Sequence, residues 1–195
     1  MMARIGRIVL RVFLGIFIAL VAFLLIFDQM VQFRMDDKEL VDWFHAQKIK
    51  PQISYFTEKG RKVRYIQVGD RSDATILFIH GAPSSLSYWK SYLADSLLRS
   101  RATLFAADRP GYGYSGLADP LPDIAAQAHV LELIIDSLHK AHRPIILVGV
   151  SYGGPIACRL AMDYPDKIDG LVLMAPPLGP GREKYSGLLI RSRIP

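Results

Sequence analysis

The hexapeptide GVSYGG, residues 149–154, stands between the apolar run PIILV and the amphipathic run PIACRLAMDY. The first run is typical of a buried strand and the second of a helix, so Ser151 falls on the turn between them. Gly149 and Gly153 allow the backbone to come close to Ser151, as a sharp strand-to-helix turn requires. This context favours a nucleophilic serine over an idle serine in a glycine-rich turn. A serine nucleophile needs a base and an acid that orients the base.

Strands and helices alternate on both sides of this turn. QISYF and VRYIQV, separated by a segment that contains Gly60, predict a hairpin. The runs TILFIH, ATLFAAD, PIILVGV and KIDGLVLMAPP predict four more strands, and a segment with helical spacing separates each from the next. The pattern predicts an α/β fold with about six strands in a mostly parallel sheet, within a domain over residues 51–180.

The loop HGAP, residues 80–83, directly follows the predicted strand TILFI. Because the carboxyl ends of parallel strands meet at one edge of the sheet, this loop is expected beside Ser151. Gly81 permits a close approach of the two segments. The backbone N–H groups of Ala82 and Tyr152 are then candidate donors to a negatively charged oxygen that develops during the reaction.

A second loop at the same edge is DRPGYGYSG, residues 108–116. We expect Asp108 and Arg109 to fix this loop rather than to take part in chemistry. His80, at the end of a buried strand, is likewise expected to order its own loop by hydrogen bonds rather than to act as a base.

HGAP, DRPGYGYS and GVSYGG, each after a strand, resemble the α/β-hydrolase superfamily in its branch with a serine nucleophile and an HG-x-P loop. The resemblance covers about residues 52–180, and the preceding apolar segment resembles membrane-anchored bacterial members. It implies Ser151 as the nucleophile and the N–H groups of Ala82 and Tyr152 as the oxyanion hole. It also implies hydrolysis of an ester, amide or related bond of a small molecule through an acyl-serine intermediate, without metal or cofactor.

The resemblance also separates some activities and leaves others open. Haloalkane dehalogenases and epoxide hydrolases resemble this pattern but place an aspartate at the nucleophile position, so Ser151 argues against both. A cofactor-free haloperoxidase or a C–C bond hydrolase uses the same catalytic triad as an esterase and stays an alternative.

The family pattern places the acid and the histidine of the triad after the serine. No histidine follows Ser151, and the acids that follow are Asp163, Asp166, Asp169 and Glu183. The first three flank a predicted helix end and strand start, away from the turn, and the upstream histidines His129, His139 and His142 are also expected at a distance.

We therefore predict a C-terminally truncated hydrolase with six of eight strands, inactive as written, in which residues 181–195 begin a missing cap region. The alternative is a non-catalytic, membrane-tethered binding module built on a partial hydrolase fold. The oligomeric state stays open.

Residues 1–28 contain the uncharged apolar run VFLGIFIALVAFLLIF, preceded by Arg4, Arg7 and Arg11. This pattern predicts a transmembrane signal anchor with a cytoplasmic N-terminus and an extracytoplasmic domain, periplasmic in a bacterium. A cleaved signal peptide is the alternative. Residues 29–50 are predicted to form a linker with a short helix at 34–46.

Composition excludes some further classes. The net charge of +6 is concentrated before the apolar run and otherwise scattered, with no basic stripe interleaved with aromatic residues, which argues against nucleic-acid binding. Cys158 is the sole cysteine, so no internal disulfide can form. No cysteine–histidine cluster has the spacing of a metal site.

Overall fold

The computed structural model describes residues 2–30, 34–70, 73–116, 121–139 and 143–177. The chain divides into two units, residues 1–32 and residues 33–195. The first unit contains one helix, α1, Met2–Met30. All other described elements belong to the second unit.

Helix α1 extends over the apolar segment at the N-terminus, and its large apolar side chains, such as Phe13 and Phe17, are exposed. Within the described residues, no helix combines the length and the apolar character needed to cross a membrane. The predicted transmembrane helix is therefore not supported by the structure.

Helix α2, Asp37–His45, begins with a reciprocal cap. The Asp36 carboxylate accepts a hydrogen bond from the N–H of Glu39 at 2.8 Å, and the Glu39 carboxylate accepts one from the N–H of Asp36 at 2.9 Å. Leu40 and Phe44 on its apolar face are fully buried in the core of the second unit. This short helix is thus an integral part of the domain that carries the sheet.

The six strands form one sheet in the order β1-β2-β4-β3-β5-β6. They are β1, Gln52–Glu58; β2, Arg61–Val68; β3, Thr75–Ile79; β4, Thr103–Ala107; β5, Ile145–Val150; and β6, Gly170–Met174. Strands β1 and β2 form an antiparallel hairpin, and β2 is antiparallel to β4. The remaining part of the sheet, β4-β3-β5-β6, is parallel throughout. The predicted six-stranded, mostly parallel α/β sheet is confirmed.

Three shorter helical elements follow β3, where one continuous helix would fit the spacing of the apolar residues. They are a 3-10 helix at Leu86–Trp89, helix α3 at Lys90–Ala94 and helix α4 at Ser96–Arg101. Asp95 interrupts the helix because its backbone is extended, with φ of −61° and ψ of 125°. Its carboxylate instead caps α4 by accepting a hydrogen bond from the N–H of Leu98 at 2.8 Å.

Helices α5, Ile124–His139, and α6, Gly153–Asp163, cover one face of the sheet, and α2 with the helices after β3 covers the other. A 3-10 helix, Pro165–Lys167, leads into β6. Successive residues of a strand alternate between the two cores: Phe78 packs with Trp89, while Leu77 and Ile79 pack with α5 and α6. The central strands are therefore buried on both faces, and their carboxyl ends meet at one edge.

Candidate active site at the carboxyl edge

Ser151 lies on a tight turn between β5 and α6. Its φ of +48° falls in the left-handed region, which is uncommon for a residue other than glycine and is kept only where the surroundings impose it. Two backbone hydrogen bonds of 2.9 Å impose it here: the Ser151 N–H donates to the carbonyl of Met174, and the Ser151 carbonyl accepts from the N–H of Gly154. Ser151 is exposed, so the turn presents its hydroxyl at the edge of the sheet.

Glycines allow this turn to pack against two strands. A Cβ atom on Gly153 would lie 2.3 Å from the carbonyl oxygen of Ile79, and one on Gly149 would lie 2.6 Å from the carbonyl oxygen of Gly153. Real Cβ atoms do not approach backbone oxygens this closely. Only glycine at these two positions lets α6 start directly above the ends of β3 and β5.

The loop of residues 80–83 lies against the serine. A Cβ atom on Gly81 would lie 2.9 Å from Cβ and 3.5 Å from Oγ of Ser151. The N–H groups of Ala82 and Tyr152 donate no hydrogen bond to any other residue that the structure describes. An unused N–H group therefore lies in each of the two segments that meet here: that of Tyr152, directly after Ser151, and that of Ala82, directly after Gly81.

His80 is fully buried and uses both ring nitrogens inside the protein. Its Nε2 accepts a hydrogen bond from the backbone N–H of Arg109 at 3.0 Å, so Nδ1 carries the proton and donates to the carbonyl of Gly81 at 2.7 Å. Burial, and then the positive charge of Arg109, lower the pKa of His80 to about 3. The imidazole stays neutral at physiological pH and holds two loops together.

Asp108 fixes the loop of residues 108–116. Its buried carboxylate accepts hydrogen bonds from the N–H groups of Leu86 at 2.7 Å and Tyr114 at 2.9 Å, and it lies 3.6 Å from the guanidinium of Arg64. Burial raises the pKa of Asp108, and these partners oppose the rise. A Cβ atom on Gly113 would lie 2.3 Å from the carboxylate, so the loop closes tightly around it.

Arg109 makes contacts that its place in the sequence does not reveal. Its side chain is fully buried, with Nη1 donating to Oε1 of Gln127 at 2.8 Å and Nη2 donating to the carbonyl of Gly81 at 3.2 Å. The guanidinium lies 4.0 Å from the ring centre of Tyr112 and 5.0 Å from that of Tyr152. Burial lowers the pKa of Arg109, but a guanidinium stays protonated in proteins. Its position at the carboxyl end of a strand is the one available sequence signal.

The described part of the chain brings no base to Ser151. The Ser151 hydroxyl has no hydrogen-bond partner among the described residues. Nδ1 of His129 lies 3.1 Å from the hydroxyl of Tyr164, which follows the far end of α6. The side chain of His139 and the whole of His142 lie outside the described residues.

The acids after the serine also lie elsewhere. Asp163 pairs with Arg159 at 2.6 Å near the end of α6. Asp169 accepts a hydrogen bond from the N–H of Ile145 at 2.8 Å, at the opposite end of β5 from the serine. Asp166 is exposed in the 3-10 helix before β6, and Glu183 lies outside the described residues.

Among the residues that the structure describes, no group of three or more histidine, cysteine or acidic side chains could hold a metal ion. The unused donors in the two segments beside Ser151 are instead the backbone N–H groups of Ala82 and Tyr152.

The chain is similar to known proteins in sequence and in fold. Over 119 residues the chain is 33% identical to the dihydrolipoyllysine-residue acetyltransferase component of the acetoin cleaving system of Cupriavidus necator. The matched region covers 60% of this chain and 30% of that protein. A haloalkane dehalogenase from Bradyrhizobium elkani superposes with a TM-score of 0.57 at 28% identity, covering 65% of this chain and 42% of the enzyme. The thioesterase domain from the curacin biosynthetic pathway has a TM-score of 0.58 at 22% identity, covering 73% of this chain and 51% of that domain.

The chain therefore spans only about a third to a half of the length of these relatives. The model of the alpha/beta hydrolase fold family matches residues 74–189, more than half of the chain and all the loops of the carboxyl edge. The chain belongs to the alpha/beta hydrolase fold family.

Proposed function

We propose that this chain supplies the nucleophile and the oxyanion-binding loop of a serine hydrolase that cleaves an ester, amide or related bond of a small molecule. The observation that supports the proposal most is the conformation of Ser151. An exposed hydroxyl on a left-handed residue, at the junction of β5 and α6, is the geometry that a nucleophile on a strand-to-helix turn requires.

In this proposal the Oγ atom of Ser151 attacks the carbonyl carbon of the substrate, and the carbonyl oxygen becomes negatively charged. The N–H groups of Ala82 and Tyr152 donate to that oxygen, and the N-terminal end of the α6 dipole adds to the attraction. When the tetrahedral intermediate collapses, the bond to the leaving group breaks and the leaving group takes up the proton that the serine lost. Water then hydrolyses the acyl-serine and releases the acid.

The nucleophile also decides between reactions known for proteins of this fold. Displacement of a halide by a carboxylate forms an ester, which water can cleave at the acyl carbon. Displacement by a serine hydroxyl would form an ether, which water does not cleave under these conditions, so the enzyme would stop after one turnover. Ser151 therefore supports acyl transfer, and the likeness to a haloalkane dehalogenase is a likeness of fold.

Proton transfer from Ser151 needs a base, and no described residue contacts the hydroxyl. Loss of the base and acid of a serine triad lowers turnover by up to about 10⁶-fold, and the oxyanion hole and substrate binding supply the activity that remains. We therefore propose that residues 1–195 alone hydrolyse esters only very slowly. Membrane attachment through residues 1–28 and an extracytoplasmic domain stay predictions, which protease accessibility in intact cells would test.

A fluorophosphonate probe tests the proposal because it phosphonylates nucleophilic serine hydroxyls and needs no turnover. Because no described residue serves as a base for Ser151, the probe is used at high concentration and over hours, so that a reaction assisted by the oxyanion hole alone is still detected. The folded chain of residues 1–195 is incubated with the probe and weighed by intact-protein mass spectrometry, beside Ser151→Ala and the nearby control Ser84→Ala. We expect one adduct in the wild type and in Ser84→Ala, and none in Ser151→Ala. A folded wild type that forms no adduct would contradict the proposal and favour a non-catalytic binding module.

A further inference from the structure

Among the residues that the structure describes, Arg64 and Arg109 are fully buried arginines, and their surroundings differ. Arg64 lies 2.8 Å from the carboxylate of Asp37 and 3.6 Å from that of Asp108. Arg109, in contrast, forms no ion pair with any residue that the structure describes. Burying a cation without a nearby anion is unfavourable unless neutral groups satisfy it. The role of Arg109 must therefore be found in its neutral partners.

Those partners lie in three segments: the loop after β3, helix α5 and the turn that carries the serine. The side chain donates to the carbonyl of Gly81 in the loop after β3 and to the amide oxygen of Gln127 on α5. Its guanidinium lies over the ring of Tyr152, the residue directly after the serine. Its backbone N–H donates to Nε2 of His80. Arg109 thus contacts both segments that carry the unused N–H groups.

The carbonyl of Gly81 is the centre of this arrangement. It accepts hydrogen bonds from Nδ1 of His80 at 2.7 Å, from Nη2 of Arg109 at 3.2 Å and from the N–H of Ser84 at 3.3 Å. The carbonyl of Gly81 and the N–H of Ala82 belong to the same planar, trans peptide group, in which the two bonds point in opposite directions. Donors that fix the carbonyl therefore also fix the direction of the Ala82 N–H.

Arg109 controls two of these three donors. It supplies the guanidinium directly, and its backbone N–H occupies Nε2 of His80, so the proton of the imidazole resides on Nδ1, where it is donated to the same carbonyl. A cationic donor on a carbonyl also polarises the peptide group, which makes its N–H a stronger hydrogen-bond donor. The polarisation is not screened by water, because Arg109 is fully buried.

We propose that Arg109 is a positioning residue for the oxyanion hole. It aims and polarises the Ala82 N–H through the carbonyl of Gly81, and it holds the adjacent donor segment through the ring of Tyr152. This inference rests on the proposed function, since it assumes that the two N–H groups bind the negatively charged oxygen.

The test measures the second-order rate constant of fluorophosphonate labelling at a temperature where all variants are folded by circular dichroism. Arg109→Gln removes the charge and the reach to Gly81, and we expect labelling to slow by about 10- to 100-fold, somewhat less than the loss of an oxyanion-hole donor itself. Arg109→Lys keeps a charge but only one point of attachment, so we expect it to recover part of the rate.

Arg64→Gln is the matched control. It also removes a fully buried guanidinium and is expected to lower the melting temperature as much as Arg109→Gln does. Arg64 contacts Met35, Asp37 and Asp108 but not the loop of residues 80–83, so labelling should stay within about threefold of the wild type. A purely structural role of Arg109 would make the two variants alike in labelling rate.

The ³¹P chemical shift of the phosphonylated serine gives a second readout, because it reports hydrogen bonds to the phosphonyl oxygen. We expect a shift in the wild type that differs from that of the urea-denatured adduct, and a value for Arg109→Gln that moves towards the denatured one. If Arg109→Gln does not fold, Gln127→Met releases the far end of the guanidinium without touching Gly81. Labelling should then slow by about three- to tenfold.

The outcomes separate this inference from the proposed function. A folded wild type that is not labelled would refute the proposed function and remove the basis of the inference. A labelled wild type whose rate and ³¹P shift are unchanged in Arg109→Gln, or in Gln127→Met where that variant replaces it, would refute the inference alone.

Discussion

The turn after β5 and the turn between β1 and β2 both depend on glycine, but for different reasons. Gly60 in the hairpin turn has a φ of +79°, and nothing lies within 4 Å of the position where its Cβ atom would be. Gly153 in the turn after Ser151 has no such φ, yet a Cβ atom there would lie 2.3 Å from the carbonyl oxygen of Ile79. Gly60 is needed for a local backbone conformation, whereas Gly153 is needed for a close contact between segments that are distant in the sequence.

The difference shows what a candidate active site requires beyond a bend in the chain. A hairpin turn needs only a conformation that its own residues can adopt. The turn at Ser151 brings α6, β3 and the loop after β3 within backbone contact, and the proposed function requires this because its donors and hydroxyl must meet in one small volume. Its residues are therefore constrained by partners about 70 positions away in the sequence.

The largest effect is expected for Gly153→Ala. The added methyl group would overlap the backbone of β3, which cannot move without disturbing the sheet, so the free energy of unfolding should fall by about 3 kcal/mol or more. Equilibrium unfolding in urea measures this change. A loss below about 1 kcal/mol would show that the two segments are not in backbone contact.

The second prediction concerns the pH dependence of stability. The buried imidazole of His80 holds the loop beside the serine, and the hairpin turn has no such group. The pKa of His80 is about 3 in the folded protein and near its ordinary value of 6.5 in the unfolded chain. Between those values the unfolded chain binds a proton that the folded protein does not. This group therefore lowers stability as the pH falls from about 6.5, by up to about 1.4 kcal/mol per pH unit, and contributes no pH dependence above that range.

Urea unfolding of the wild type and of His80→Asn at about pH 7, 6 and 5 isolates this contribution from those of other groups, including Asp108. We expect the stability of the wild type to fall more steeply than that of the variant as the pH decreases. Parallel curves for the two proteins would mean that the folded state does not hold His80 neutral.

Gly81→Ala should affect chemistry more than folding. The new methyl group would lie 2.9 Å from Cβ of Ser151 and 3.1 Å from the carbonyl oxygen of Val150, so the loop must shift away from the serine. We expect fluorophosphonate labelling to slow by about tenfold or more, with a loss of stability of about 1–2 kcal/mol. Labelling at the wild-type rate would place the loop away from the reacting atoms.

The smallest effect is expected for Gly60→Ala. Open space surrounds the site, so the cost is that of holding alanine in a left-handed conformation, about 1 kcal/mol. Urea unfolding measures the loss, and the labelling rate of Ser151 should be unchanged. A loss as large as that of Gly153→Ala would erase the distinction between the two turns.

The parts of the fold that could be predicted are those with a local signature. Continuous apolar runs at β3, β4 and β5 identify strands buried on both faces, and GVSYGG identifies the turn that carries Ser151. The break at Asp95 could not be predicted, because the apolar residues on both sides of it keep helical spacing. The amphipathic pattern of α2 indicated a helix but not the surface that Leu40 and Phe44 cover.

The connections within the site are less visible in the sequence. Arg109 binds a backbone carbonyl, an amide and two aromatic rings, and a carbonyl partner leaves no residue type to recognise. The sequence predicted that Asp108 fixes its loop, but not which residues it binds. Leu86 and Tyr114 contribute only their backbone N–H groups, which do not depend on the residue type. Such contacts depend on how the loops are brought together by the sheet.

Locating a fluorophosphonate adduct on the chain would show whether Ser151 carries the nucleophilic hydroxyl. Tryptic digestion places Ser151 and Tyr152 in one peptide, residues 141–159, and tandem mass spectrometry distinguishes the two positions. Burial raises the pKa of Tyr152, so its phenol stays protonated at neutral pH and should react poorly. We predict an adduct on Ser151 that forms in the folded protein and not in the urea-denatured chain. An adduct on Tyr152, or equal labelling of folded and denatured protein, would mean that the fold does not make Ser151 the nucleophile.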